Sequence, residues 1–330
     1  MTTEPSPTTA EATLGPNGTA PRAVRRIYVA NLVAQGAIIV TGGVVRLTGS
    51  GLGCPTWPRC TEGSFVPTPE QAEGFHKLIE FGNRTLTFVL ALLAVAAIAA
   101  ALWDAARRRR VGLPARPVLT RLALVPFLGT VAQAVLGGIT VLTGLNPLVV
   151  GAHFLLSMAL VLLCTMLVHR AAEPADEPVV DVVRREIRIG VHVLTFVMAL
   201  VITVGVLVTA SGPHAGDAET PRLGLDPQVV SWLHADLVFL AIGLLAGLIV
   251  ALRASRADTH DVGHDAVVVL LLMLGQAGIG YVQYFTGLPW VLVAFHLLGS
   301  VLVWWATARL LLRTRRRGVQ WTAQPAGAAV

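Results

Sequence analysis

Charge is scarce in this sequence: Asp, Glu, Lys and Arg make up 13% of its 330 residues, where an ordinary soluble domain carries roughly 25%. With 54% apolar residues and a mean hydropathy of +0.69, that scarcity excludes a soluble globular protein and leaves an integral membrane protein. The arginines behind the net charge of +6 flank apolar runs and form no basic module of their own, so the basic balance does not signify nucleic-acid binding. Cysteine is scarce too, with three residues, and neither Cys nor carboxylate stands beside the histidines at zinc-ligand spacing, which counts against a zinc centre. A small-residue cleavage site is also lacking after the first apolar run, so Arg25-Arg26 opens a membrane span and not a secretory signal.

Runs of the length needed to cross a hydrocarbon core occur at about 28–47, 80–103, 122–143, 147–168, 189–210, 229–252, 266–286 and 289–312. The expected fold is therefore all-α and polytopic, with eight transmembrane helices. Arg22, Arg25 and Arg26 precede the first span, Arg107 to Arg110 follow the second, Arg184, Arg185 and Arg188 precede the fifth, and Arg313 to Arg317 follow the eighth. The positive-inside rule then puts both termini of a multi-pass protein in the cytoplasm. Residues 1–26, poor in large apolar side chains, are expected to be a disordered cytoplasmic tail.

Two stretches repeat. Gln133, Ala134, Thr143, Gly144, Leu145 and His153 recur as Gln276, Ala277, Thr286, Gly287, Leu288 and His296, always 143 residues apart, the mark of a duplicated unit. Thr48-Gly49-Ser50-Gly51 likewise rhymes with Thr209-Ala210-Ser211-Gly212. The units are expected to be four-helix bundles at 27–169 and 189–312, with 170–188 as a cytoplasmic linker and 313–330 as a cytoplasmic tail. Four helices per unit keep both units in one orientation, a parallel repeat. Dense glycines at 42, 43, 137, 138, 275, 278 and 280 serve either close helix packing or room for a flat ligand.

His153 and His296 each lie about two turns inside the outer end of a span, and His234 sits at similar depth. A titratable side chain inside an apolar span is costly without a function. Three imidazoles at one level on alternate helices suit axial ligation of haem iron. The corresponding place in the second span holds Asn83, a poor iron ligand. Beside it, His76, Glu80, Asn83 and Arg84 can share one helical face. Glu80 with Arg84 is either a salt bridge at the membrane edge or an acid/base pair in a ligand pocket.

The eight-span duplicated layout, the Arg46-Leu47-Thr48-Gly49-Ser50-Gly51-Leu52 exit, the Gly53-Cys54-Pro55-Thr56-Trp57-Pro58-Arg59-Cys60 loop and the Ile79-Glu80-Phe81-Gly82-Asn83-Arg84 segment together resemble the haem A synthase family, over nearly all of 26–312. The resemblance implies a haem-dependent membrane oxidoreductase that converts haem O to haem A, taking a ring methyl to a formyl group by successive hydroxylations. It implies a haem b in the C-terminal half with His234 and His296 as its axial ligands. It places the substrate haem in the N-terminal half, with His153 as a ligand and Glu80 as the catalytic carboxylate. Asn83 stands where many family members have a second His, so the N-terminal haem is held by His153 alone or by His76 in a shifted position. A cytochrome b-like electron carrier or quinol oxidoreductase is the alternative, and a transporter a more distant one.

On the outer face Cys54 and Cys60 are separated by five residues, which permits a disulfide, either a clip for the loop or a redox pair. Arg46 and Arg84 lie where haem propionates would emerge, and at least one of them is expected to bind one, the alternative being a side chain that snorkels to the interface. His214 is expected to be a solvated loop residue, and His260 and His264 lack a third ligand. Contact with lipid, with a haem O synthase and with cytochrome c oxidase assembly factors follows from the resemblance. It also places the protein in the plasma membrane with the haem sites toward the outer face, and leaves self-association open.

Overall fold

The computed structural model describes residues 19–113, 115–173, 178–255 and 259–317. Within them the order is α1 (Arg22–Leu47), α2 (His76–Arg110), α3 (Pro117–Leu142), α4 (Pro147–Ala172), β1 (Val179–Asp181), α5 (Arg185–Ser211), α6 (Pro227–Ala254), α7 (His260–Phe285), α8 (Trp290–Arg313) and β2 (Arg315–Arg317). All eight helices are long and apolar enough to cross a membrane. Prolines open α3, α4 and α6, where a missing N–H costs nothing. Asn146 and Asp226 cap α4 and α6 by accepting from Leu148 N at 3.0 Å and Gln228 N at 2.8 Å.

The helices outrun the apolar runs at several ends. At 35 residues, α2 measures about 52 Å against a hydrocarbon core of about 30 Å, so it projects through the interface. Its last turn is Arg107 to Arg110, good helix formers that also suit the negative end of the helix dipole.

The connections α1–α2, α3–α4, α5–α6 and α7–α8 gather at one end, called here the loop end. Gly51 N donates to Gly216 O at 2.9 Å, His214 Nε2 donates to Leu288 O at 2.9 Å, and Leu145 packs against Gly51 and Gly216. His214 is thus partly buried and bonded rather than free in solvent. The other end, rich in arginine, carries the strand pair. There β1 and β2 run antiparallel, with Val179 opposite Arg317 and Asp181 opposite Arg315. Three-residue strands hold too little pattern to be read from sequence, so a stretch expected to be linker and a stretch expected to be tail in fact pair.

Residues 19–26, expected within the disordered tail, are structured, and α1 begins at Arg22. From Thr19 the chain is ordered, with Ala20 N donating to Ala171 O at 3.0 Å and Ala20 and Val24 buried; residues 1–18 lie outside the described residues, as do 174–177 of the expected linker and 318–330 of the C-terminal tail.

Helices α1 to α4 pack in a ring, α5 to α8 in a second, and the rings meet through α8 against α1 and α4 and through α4 against α5. Trp304 Nε1 ties α8 to α4 by donating to Met158 O at 2.8 Å. The repeat is visible in the backbone: Leu145 and Leu288 both take φ of 59°, each after a glycine of positive φ, and their N–H groups close back on Thr140 O and Gln283 O. Left-handed leucine costs roughly 1–2 kcal/mol, and each turn accepts it in the same place. The two interiors differ. The second ring is filled by large aliphatic side chains such as Leu194, Leu245 and Val269, and the arginine end of the first by Ala97, Ala100, Ala101 and Ala123 around Tyr28.

Candidate functional site

His153 is the seventh residue of α4 and His296 the seventh of α8, while His234 and Asn83 are each the eighth of α6 and α2. Four equivalent positions, one per hairpin, therefore hold three imidazoles and one amide. Each imidazole brings its Cε1 against a glycine of the preceding helix: a Cβ would come within 3.3 Å of His153 at Gly137, 3.1 Å of His234 at Gly205 and 3.4 Å of His296 at Gly280. Asn83 meets Gly42 in the same way at 3.8 Å. Gly137 and Gly280 are thus seats for the rings, whereas Gly275 and Gly278 face open space.

The repeated glutamines acquire a role here. Gln133 Nε2 donates to the His153 carbonyl at 3.0 Å and Gln276 Nε2 to the His296 carbonyl at 2.7 Å. Each bond ties a helix hairpin at the turn that carries the imidazole and so sets the rotation of that helix. The backbone partner could not be read from the sequence, although the matched spacing marked both residues.

In the second ring the His234 and His296 ring centres are 6.4 Å apart, with planes 67° to one another. Metal–imidazole bonds are about 2 Å long, so at this spacing both rings could hold one metal-containing group between them. His234 Nδ1 donates to Val201 O at 3.0 Å. That bond assigns the proton to Nδ1 and leaves Nε2 unprotonated. His296 Nδ1 and His153 Nδ1 are buried without a protein partner, a state that calls for an explanation. Among the described residues no three His, Cys, Asp or Glu side chains converge as a metal-binding group.

In the first ring Asn83 Oδ1 accepts from Thr41 Oγ1 at 2.8 Å. One turn nearer the loop end, Glu80 is 5% exposed and fully engaged: Oε2 accepts from Cys54 N at 2.6 Å, and Oε1 accepts from Arg84 Nε at 2.9 Å and from Arg84 Nη2. Arg84 also donates to the carbonyls of Cys54 at 2.6 Å, Thr56 at 3.0 Å and Arg59 at 3.2 Å. Its five N–H groups are thereby all engaged by protein acceptors, so Arg84 clamps the loop to α2. Arg46 differs. Its stem lies against Gly216, it is within electrostatic reach of Arg222, and no acid faces it among the described residues, so its donors remain available to a carboxylate.

Cys54 and Cys60 form the disulfide, both buried. Their loop reaches the site directly. The Trp57 ring lies over Gly138, where a Cβ would come within 2.6 Å of the indole, one residue from the glycine that seats His153. His76 belongs to the same loop end: its Nδ1 bonds Ser50 Oγ at 2.8 Å and its ring stacks on Phe75. The structure thus gathers Glu80, Arg84 and the disulfide into one clamp, with His76 bonded to the neighbouring Ser50.

Residues 25–308 match the COX15-CtaA family, described as cytochrome oxidase assembly protein. Relatives include the Heme A synthase of Geobacillus kaustophilus (strain HTA426), 26% identical over 93% of this chain and 98% of its own length. That of Shouchella clausii (strain KSM-K16) is 27% identical over 90% of this chain and 99% of its own length. That of Bacillus cereus (strain 03BB102) is 26% identical over 79% of this chain and 83% of its own.

Proposed function

Because the chain belongs to the COX15-CtaA family of cytochrome oxidase assembly proteins, we propose that it is a haem A synthase, a membrane oxidoreductase that converts haem O to haem A. The observation that carries the division of labour is the asymmetry between the rings: two imidazoles 6.4 Å apart in the second, an amide in place of the fourth imidazole in the first, and a buried carboxylate one turn away. His234 and His296 would hold a haem b, which when bound supplies one-electron steps to the neighbouring half. His153 would hold the substrate haem from one side, and Asn83, kept in place by Thr41, leaves its other side open. A two-haem electron carrier would need the imidazole that Asn83 replaces.

Glu80 is assigned the acid/base work. Hydroxylating the methyl twice gives a geminal diol, and its collapse to the formyl group needs a proton taken from one hydroxyl and one given to the departing hydroxyl, which leaves as water. A carboxylate held by Cys54 N–H and Arg84 is oriented for both transfers. Arg46 is assigned to a propionate. The arginine end is assigned to the cytoplasm, by the concentration of arginines there, which puts the termini inside a plasma membrane and the haem sites toward the outer face. Haem O synthase and oxidase assembly factors are the partners to which such a substrate and product would pass.

Pigment extraction from cells supplied with haem O tests the assignment. Haem A is expected from the wild type and not from Glu80→Ala, and the low-spin haem b spectrum is expected to vanish in His234→Ala and in His296→Ala. Haem A made equally by Glu80→Ala would sink the role of the carboxylate, and a haem b spectrum persisting in both histidine variants would sink the ligand pair.

A further inference from the structure

A column of buried polar side chains runs along α1 of the first ring, where the buried face of α5 in the second carries only aliphatic side chains and Met198 from Ile187 to Val204. On α1, Tyr28, Asn31 and Gln35 succeed one another by one helical turn and are 0%, 1% and 4% exposed, so they share one face and point into a bundle of alanines and leucines. The neighbouring helices answer each level. Asp104 of α2, itself buried, and Arg116 at the start of α3 lie within electrostatic reach of Tyr28. The Cys164 thiol of α4 donates to Asn31 Oδ1 at 3.7 Å, and Gln35 Nε2 donates to Thr130 Oγ1 of α3 at 3.3 Å. One turn beyond Thr130, Gln133 donates to Ser157 Oγ at 2.5 Å and to the His153 carbonyl. In the second ring Val191, Leu194, Val197, Leu245 and Val269 make a closed apolar core.

Buried polar groups are ordinarily paired, and inside a membrane an unpaired one costs several kcal/mol. Yet Tyr28 Oη, Asn31 Nδ2, Asp104 Oδ1 and Arg116 Nη1 are all buried without a protein partner. Four such atoms in one column, among side chains as small as alanine, are what internal water satisfies.

We propose that this column is a hydrated proton path from the arginine end of the first ring to the turn that carries His153. It rests on the reading of that ring as the place where haem O is converted. Oxidation of a methyl to a formyl group releases protons with the electrons it gives up, a hydrocarbon interior accepts none, and the second ring, assigned electron transfer, lines the same depth with aliphatic side chains. Tyr28, Asp104, the Cys164 thiol and the hydroxyls of Thr130 and Ser157 can carry a proton, and the amides between them hold the waters in line.

Cys164 is the one free thiol of the chain, so its S–H stretching band in the infrared reports on the column alone. Full-length protein in lipid nanodiscs, transferred to D2O, is expected to exchange this proton within minutes, and Tyr28→Phe to slow the exchange roughly tenfold or more. Exchange in the wild type only at the rate of global unfolding overturns the proposal. Gln35 lies beyond Cys164 from the arginine end, so Gln35→Leu is expected to leave thiol exchange fast while slowing haem O conversion roughly tenfold or more. Conversion at the wild-type rate overturns it as well. The haem b spectrum of the second ring serves as the fold check, with Gln35→Met replacing any variant that loses it. Failure of the functional reading is distinguishable, because it appears as an absence of haem A from the wild type whatever the thiol exchange shows.

Discussion

Replacing Arg84 by Met removes every hydrogen bond that holds residues 54–60 to α2 except the one from Cys54 N to Glu80, while His76 with Ser50 and Lys77 with Thr68 still tie the flanks of the loop. Two bonds to a carboxylate that is 5% exposed and three to backbone carbonyls are lost together, and the side chain of Met can reproduce none of them. Taking one partner from a buried ion pair costs about 3–5 kcal/mol. Arg84 keeps 22% of its side-chain exposure, which places the cost near the low end, about 3 kcal/mol, because solvent screens the pair on that side. At about 1.4 kcal/mol per tenfold, the loop should open roughly a hundredfold more often. Cys54 and Cys60 are both 0% exposed, so a reductant must wait for that opening. The assay is the rate of disulfide reduction by dithiothreitol in the folded protein, read by thiol labelling against a free-thiol background of Cys164 alone. Arg84→Met should be reduced roughly a hundredfold faster than the wild type, and Glu80→Gln combined with Arg84→Met should recover part of the difference, since a neutral amide leaves no buried charge behind. Reduction of Arg84→Met at the wild-type rate would refute the clamp.

Gly205→Val brings branched carbons into the space of the His234 ring, where even a bare Cβ would stand 3.1 Å from Cε1; the ring must turn and break its bond to Val201 O, and the low-spin haem b spectrum is expected to be lost while Gly275→Val, at a position with open space, retains it. At the arginine end, burial alone would raise the Glu173 carboxyl, but hydrogen bonds and charge from His169 and Arg170 outweigh it and hold the group down to about 2. A depressed carboxyl stabilises the fold above its ordinary value near 4.5, and that contribution is lost as pH falls toward about 2. Thermal unfolding should therefore show Glu173→Gln to be less stable than the wild type at pH ~7, by on the order of 2 kcal/mol, with the gap closing below pH ~3; a gap that is the same at both would exclude the ion pair as its source.

The eight helices were legible because each is an unbroken apolar run of membrane length, the one pattern that needs no partner to be interpreted. Position within the helices was legible as well. The 143-residue spacing marked His153 and His296 as equivalent, and the comparison of outer helix ends matched Asn83 to His234, which the shared eighth place in α2 and α6 now supports. Arg84 shows where such inference stops. Its i, i+4 spacing from Glu80 marked the salt bridge, but nothing in the local sequence reveals that the carbonyls of Cys54, Thr56 and Arg59 turn toward it.

The sequence by itself determined the fold class, the family, the duplication and the residue types that break its symmetry, since those follow from local composition and from spacing along one chain. Tertiary structure decided what each of those residues touches. It brought the His234 and His296 rings within reach of one iron, seated the imidazoles on Gly137, Gly205 and Gly280, locked Glu80 under the disulfide loop, and lined up Tyr28, Asn31 and Gln35 with Asp104, Cys164 and Thr130 from three other helices. These are contacts between residues tens to more than a hundred positions apart, and no periodicity along the chain encodes which faces of separate helices will meet; only the packing of one apolar surface against another settles that.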